Sequence, residues 1–199
     1  MVHAVTYIDI DPGSVAAGTE LLKTYRKSAG ALVLHEGCRP NRFVIVESWD
    51  DEAEFRDHES APRTAEFRAG LQAIHNSPYD QRVHHTFASG AQARENSAGM
   101  VYVVTHVDVP PPRKDETEVL LTVQAVKSRN DGGNVRYDVF QQNAPRTNHF
   151  SVVAVWESEA TFRSHQAAPH TRRFREELGP KLGAPYDERL YSLPGGVVS

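Results

Sequence analysis

This chain is written twice. Val5-Thr6-Tyr7-Ile8-Asp9-Ile10 recurs as Val104-Thr105-His106-Val107-Asp108-Val109 at an offset of 99. Trp49–Leu71 aligns with Trp156–Leu178 at an offset of 107, with 12 of 23 positions identical. The shared set includes Trp49/Trp156, Phe55/Phe162, His58/His165, Phe67/Phe174 and Arg68/Arg175. Pro78-Tyr79-Asp80 returns as Pro185-Tyr186-Asp187. The offset grows by 107 − 99 = 8, so the second copy carries eight more residues between its first helix and third strand. Self-similarity of this kind fixes the architecture before any motif does. The 199 residues therefore divide into a first domain over 1–88, a linker over 89–99 and a second domain over 100–199. The linker is small and polar, without hydrophobic period.

Each copy reads as strand, helix, strand, strand, helix, strand. Val2–Ile10 is rich in β-branched residues and ends at the turn signal Asp11-Pro12-Gly13. Ser14 is placed to cap a helix whose apolar side includes Val15, Leu22, Tyr25 and Ala29. In the second copy Asp115 and Glu118 form a capping-box pattern before Val119, Val123 and Val126. A hairpin at Arg39-Pro40-Asn41 joins two β-rich runs, and the second helix of each copy bends or breaks at Pro62 and Pro169. The order β-α-β-β-α-β is the ferredoxin-like plan, an antiparallel sheet with both helices on one face. Phe43, Val44, Ile45 and Val46 leave neither side of the third strand polar. The bare face of each sheet is then buried most simply against the other, giving an α+β fold of two ferredoxin-like units packed sheet to sheet as an intrachain barrel.

Composition narrows the function classes. There are 22 basic against 26 acidic side chains, which argues against a nucleic-acid surface. No run approaches a membrane span, and the acidic start Met1–Asp11 does not resemble a secretory leader, so a cytoplasmic address is expected. The single cysteine, Cys38, excludes an internal disulfide. The ten histidines suggest metal, but no His-x-x-x-His pair occurs. His84 and His85 alternate across a strand, and His165 and His170, five apart, lie about 140° apart around a helix and face different ways. No metal is expected.

The stretch Trp-Asp-Asp-Glu-Ala-Glu-Phe-Arg-Asp-His-Glu-Ser-Ala-Pro from Trp49, and its partner from Trp156 running through Pro169-His170, resemble the antibiotic biosynthesis monooxygenase family. The second copy follows the pattern through His170, where the first has Arg63. The resemblance implies a substrate cavity in each unit between sheet and helices. It further implies oxidation of a phenolic or hydroquinone-type small molecule by O₂ without cofactor, in a site that binds the phenol, stabilises its anion and excludes water. On that reading His58 and His165 are candidate bases, and Trp49, Trp156, Phe55 and Phe162 line the pockets. The quinone-forming members carry an Asn on the strand leading to the Trp; Arg42–Ser48 and Phe150–Val155 contain none. The polar partner then comes from His35, Arg42, Tyr137 or His149. Two alternatives stay open: a non-catalytic small-molecule-binding or stress-response protein, and a heme-binding or heme-degrading protein. Heme-cleaving relatives place their ligand His where this chain has Arg68 and Arg175. The expected partners are a small aromatic substrate and O₂, with no nucleic acid or membrane; a homodimer of the fused pair is compatible with all of this.

Overall fold

The computed structural model describes residues 1–90 and 99–194, Ser28 as backbone only. Most of the expected linker, residues 91–98, lies outside the described residues. Two compact units result: Met1–His84 with the described residues from Ser192, and His85–Tyr191.

The first unit runs β1(Val2–Asp9), α1(Val15–Ala29), β2(Leu32–Glu36), β3(Arg42–Trp49), α2(Glu52–Ser60), α3(Pro62–Gln72) and into β4(Asp80–Ala88). The second runs β5(Val101–Asp108), α4(Lys114–Arg129), β6(Asn134–Gln142), β7(His149–Trp156), α5(Glu159–Ala167), α6(Pro169–Leu178) and β8(Asp187–Ser192). The fold is α+β, with two units in ferredoxin-like order. In the first unit β3 lies between β1 and β2, antiparallel to both. In the second the order is β8-β5-β7-β6, again antiparallel throughout. No helix among the described residues is long and apolar enough to cross a membrane.

Each unit packs its helices on a core of its own. In the first, Ile8, Leu22, Val33, Phe43, Ile45 and Phe67 come together. In the second the centre is Val103, Leu121, Val139, Phe150, Val152 and Trp156. Leu22 and Leu121 are fully buried counterparts at the offset of 99.

The helix starts differ from the sequence expectation. Ser14 sits at φ −110°, ψ 8° behind a 3-10 turn over Pro12–Ser14, and its side chain makes no capping bond. A capping side chain needs an extended backbone to reach forward, and this one is not extended. The first helix of the second copy likewise follows a 3-10 turn, Pro111–Arg113, with no side-chain cap. Glu118, expected in a capping box, instead pairs with Lys114 at 2.6 Å and accepts from Gln141 at 2.7 Å. Val119, Val123 and Val126 face outward, 64%, 46% and 53% exposed. The buried side of α4 is Thr117, Leu121, Gln124, Ala125 and Ser128. A face with three polar residues among five hides its period from any hydrophobicity count.

The second-helix starts are conventional. Asp51 accepts from the backbone N–H groups of Ala53 and Glu54, and Ser158 forms a capping box with Thr161. Both helices then break where expected. Ala61 and Ala168 turn extended, and Pro62 and Pro169 open α3 and α6 as first-turn prolines.

Candidate functional site

The break before Pro169 shapes the site. It ends α5 just after His165 and restarts the chain with His170 in the first turn of α6. The two rings therefore do not diverge as they would on one continuous helix. Both reach the same oxygen of Asp131: His165 Nδ1 at 2.7 Å and His170 Nε2 at 3.2 Å. This corrects the sequence geometry, whose 140° rule fails once the helix is interrupted.

Asp131 is held by the turn between α4 and β6. Gly133 has φ +78°, and a Cβ there would overlap the side chain of Thr161. Its carbonyl accepts from Glu157 N at 2.9 Å, so the turn is tied to the start of α5. With Nδ1 donating to Asp131, the proton-free nitrogen of a neutral His165 is Nε2, which has no protein partner among the described residues. Burial is the main influence on the ring and lowers its pKa, while the Asp131 carboxylate pulls the other way. Neutral imidazole is thus the resting form.

Around His165 lies a narrow cavity within the second unit. The enclosed space is small, about 10 Å³, and opens to solvent at one side. Trp156, Tyr137, Phe162 and Phe174 form its aromatic walls, with Gln124, Thr171, Arg175, Tyr186 and Glu188 as the polar ones. The Trp156 indole stacks on His165 with ring centroids 4.4 Å apart. Its Nε1 is buried and has no acceptor among the described residues. The same holds for Nε of Arg175, although its Nη2 makes a forked contact with Glu188 at 2.8 and 3.1 Å. Two buried N–H donors without acceptors in the lining of one cavity are costly unless water or a ligand's oxygens meet them. Burial raises the pKa of Tyr137 and of Tyr186, keeping both phenols protonated.

The first unit handles the equivalent place differently. Offsets of 99 and 107 put Tyr25 where the second unit has Gln124, and Glu47 where it has Ala154. The Tyr25 hydroxyl donates to Glu47 Oε1 at 2.8 Å and lies 3.0 Å from His58 Nε2. The nitrogen that is open in His165 is therefore committed to the protein in His58. Tyr25 also stacks on Phe67 at 3.9 Å, filling the space between helix and sheet. Desolvation pushes the Glu47 carboxyl up to about 7 and lowers the pKa of His58. Their 3.5 Å approach is then a neutral hydrogen-bonded array more than an ion pair.

The remaining candidates separate cleanly. Trp49 gathers Phe55 and His58, with ring centroids 5.0 and 4.9 Å away. Tyr137, Phe162, Trp156 and His165 come together in the second unit's cavity. His35 lies at the β2–β3 hairpin, its Nε2 3.0 Å from the Pro40 carbonyl, and Arg42 pairs with Asp9 at 3.1 Å. His149 begins β7 and Trp156 ends it, so His149 stands at the other end of the strand from the cavity. Asp131, Gln124 and Thr171 were not among the sequence candidates. Asp131 falls in the stretch where the second copy carries its eight extra residues, which is the signal that marked it.

The two units share an α+β fold of ferredoxin-like order, and the second sets a histidine–carboxylate pair beside an aromatic-walled cavity. The antibiotic biosynthesis monooxygenase profile matches residues 1–70 and 100–177, and the chain belongs to that family. Among curated proteins none matches it. A proposed monooxygenase from Fusobacterium nucleatum subsp. nucleatum is similar in structure, with a TM-score of 0.85 and 14% identity over 97% of this chain and 92% of its own. An anthrone oxidase-like protein gives a TM-score of 0.73 at 11% identity, covering 96% of this chain and 90% of its own. A protein described as a major regulator of staphylococcal pathogenesis gives 0.64 at 13%, covering 98% and 99%. At these identities the likeness is one of fold.

Proposed function

We propose that this protein is a monooxygenase that oxidises a phenolic or hydroquinone-type small molecule with O₂ in the cavity of its second unit, without a cofactor. The observation that carries this reading is His165 with Nδ1 on Asp131 and no protein partner at Nε2 among the described residues, in a cavity whose lining includes two N–H donors that lack acceptors. Family membership and the fold shared with an anthrone oxidase-like protein favour oxygen chemistry over other uses of such a cavity.

The chemistry follows from the groups available. Nε2 of His165 takes the phenolic proton while Asp131 steadies the imidazolium, as a carboxylate does for any base held through Nδ1. On this reading Trp156 Nε1–H and Arg175 Nε–H hydrogen-bond the phenolate oxygen. The electron-rich anion gives one electron to O₂, and the aryloxyl radical and superoxide combine at a ring carbon ortho or para to the oxygen that still bears hydrogen. His165 returns its proton to the peroxide. Loss of the ring C–H proton with cleavage of the O–O bond leaves a quinone and one water. One oxygen atom stays in the product, the other leaves as water, and the substrate supplies all the electrons.

The test is O₂ uptake with a panel of hydroquinones and fused-ring phenols, for the wild type and His165→Ala. Uptake above the buffer rate that falls about 100-fold in the variant is expected, the range of a lost general base. No uptake with any compound defeats the oxygenase reading, and saturable binding without turnover makes the protein a binder on the same scaffold.

A further inference from the structure

Away from the cavity, the second unit gathers a different set of ligands. β5 presents His106 and Asp108 on one face, two residues apart. β7 brings His149 opposite Asp108 in the antiparallel register. His149 Nδ1 lies 3.4 Å from His106 Nε2, and His149 Nε2 lies 3.4 Å from Asp108 Oδ1. One donor atom from each of the three falls within 4.8 Å of the others. All three side chains are partly exposed, so solvent has a path to them.

We propose that His106, Asp108 and His149 form a binding site for a zinc-class divalent cation, tying β5 to β7. Two ligands about 2.0–2.1 Å from a tetrahedral zinc sit roughly 3.3–3.4 Å from each other, which is the spacing these two imidazole nitrogens already have. Two imidazoles with one carboxylate select zinc, nickel or copper over magnesium or calcium, which favour all-oxygen sets. Asp108 supplies the third ligand or, through the second nitrogen of His149, the carboxylate that orients a metal-bound histidine. Water completes the shell.

The duplication gives a control within the molecule. At the offset of 99, Tyr7 and Asp9 stand for His106 and Asp108; at 107, Arg42 stands for His149. There Arg42 Nε meets Asp9 Oδ2 at 3.1 Å. The same strand positions thus balance the carboxylate with a guanidinium in one copy. In the other they surround it with two imidazoles, the residue type that most often ligates a transition metal. The other cluster, Asp131 with His165 and His170, brings one nitrogen of each ring near a single carboxylate oxygen, and its His165 lines the cavity.

The full chain, dialysed against chelator, is titrated with zinc chloride by calorimetry. Saturable binding near one zinc per chain is expected at this site. His149→Arg and His106→Tyr, which install the first unit's own residues, should each weaken it at least about tenfold while the circular dichroism spectrum stays native. Asp108→Asn gives a third reading should either variant fail to fold. No saturable binding up to about 1 mM zinc overturns the site. Binding that survives all three substitutions but is lost in His170→Ala places the metal at Asp131 and overturns it equally.

Discussion

Glu47 and His165 show how burial sets the charge of a single side chain. Glu47 is 5% exposed, and desolvation carries its pKa from 4.5 to about 7. A carboxyl whose folded pKa exceeds its unfolded one binds the extra proton in the folded state. Stability from it is complete below pH 4.5 and is lost as pH rises through about 7. Glu47→Gln keeps an acceptor for Tyr25 and removes the charge. It should raise stability at pH 8 by about 1–3 kcal/mol and flatten its decline between pH 5 and 8, measured by urea denaturation at both ends. His165 has the opposite sign, because burial lowers its pKa. Its base form is lost only as pH falls below the ordinary histidine range. The rate of O₂ uptake should therefore hold level through neutrality and drop on the acid side of about 6.5, and an acid limb centred higher would count against His165 as the base.

Turns and helix ends decide what the elements can present. Gly133→Ala adds a side chain at φ +78° and presses it on Thr161. A loss above about 1 kcal/mol is expected, read from the denaturation midpoint. A subtler case is the half-buried guanidinium of each unit. Arg68 meets Glu59 of α2 at 2.6 Å, and Gln81 of β4 donates to that carboxylate at 3.2 Å. Arg175 meets Glu188 of β8, and Gln166 of α5 donates to that carboxylate at 3.2 Å. Acid and amide have exchanged elements between the copies. Glu59→Gln alone should cost about 1 kcal/mol, and adding Gln81→Glu should restore most of it, a coupling above about 0.5 kcal/mol in a double-mutant cycle. The strands and the proline breaks were legible in the sequence, because β-branched runs and Ala-Pro steps act locally. The cap of α1, the buried face of α4 and the meeting of His165 with His170 were not. Each depends on a backbone angle or a partner that only the folded chain supplies.

Across the whole molecule the duplication was the most legible feature, and it carried the fold class, the candidate histidines and the tryptophans with it. The difference between the copies was not legible. Identical letters at His58 and His165 conceal that one ring is tied to Tyr25 and the other rests on Asp131. Gln124 stands in place of Tyr25, and Ala154 in place of Glu47, among the residues that line the second unit's cavity. The expected division of labour is sharp: His58→Ala should leave O₂ uptake within about twofold of wild type, whereas His165→Ala should abolish most of it. Equal losses in both would mean that the halves share the work.

The traded positions of acid and amide around Arg68 and Arg175 bear on how such a gene can evolve. When recombination copies a short tract from one half onto the other, it carries one member of the trade without its mate. The recipient then surrounds its guanidinium with two amides or crowds it with two acids. Such conversions would be purged, so the halves are free to drift further apart, and whatever trade one of them has learned is shielded from erasure by its sibling.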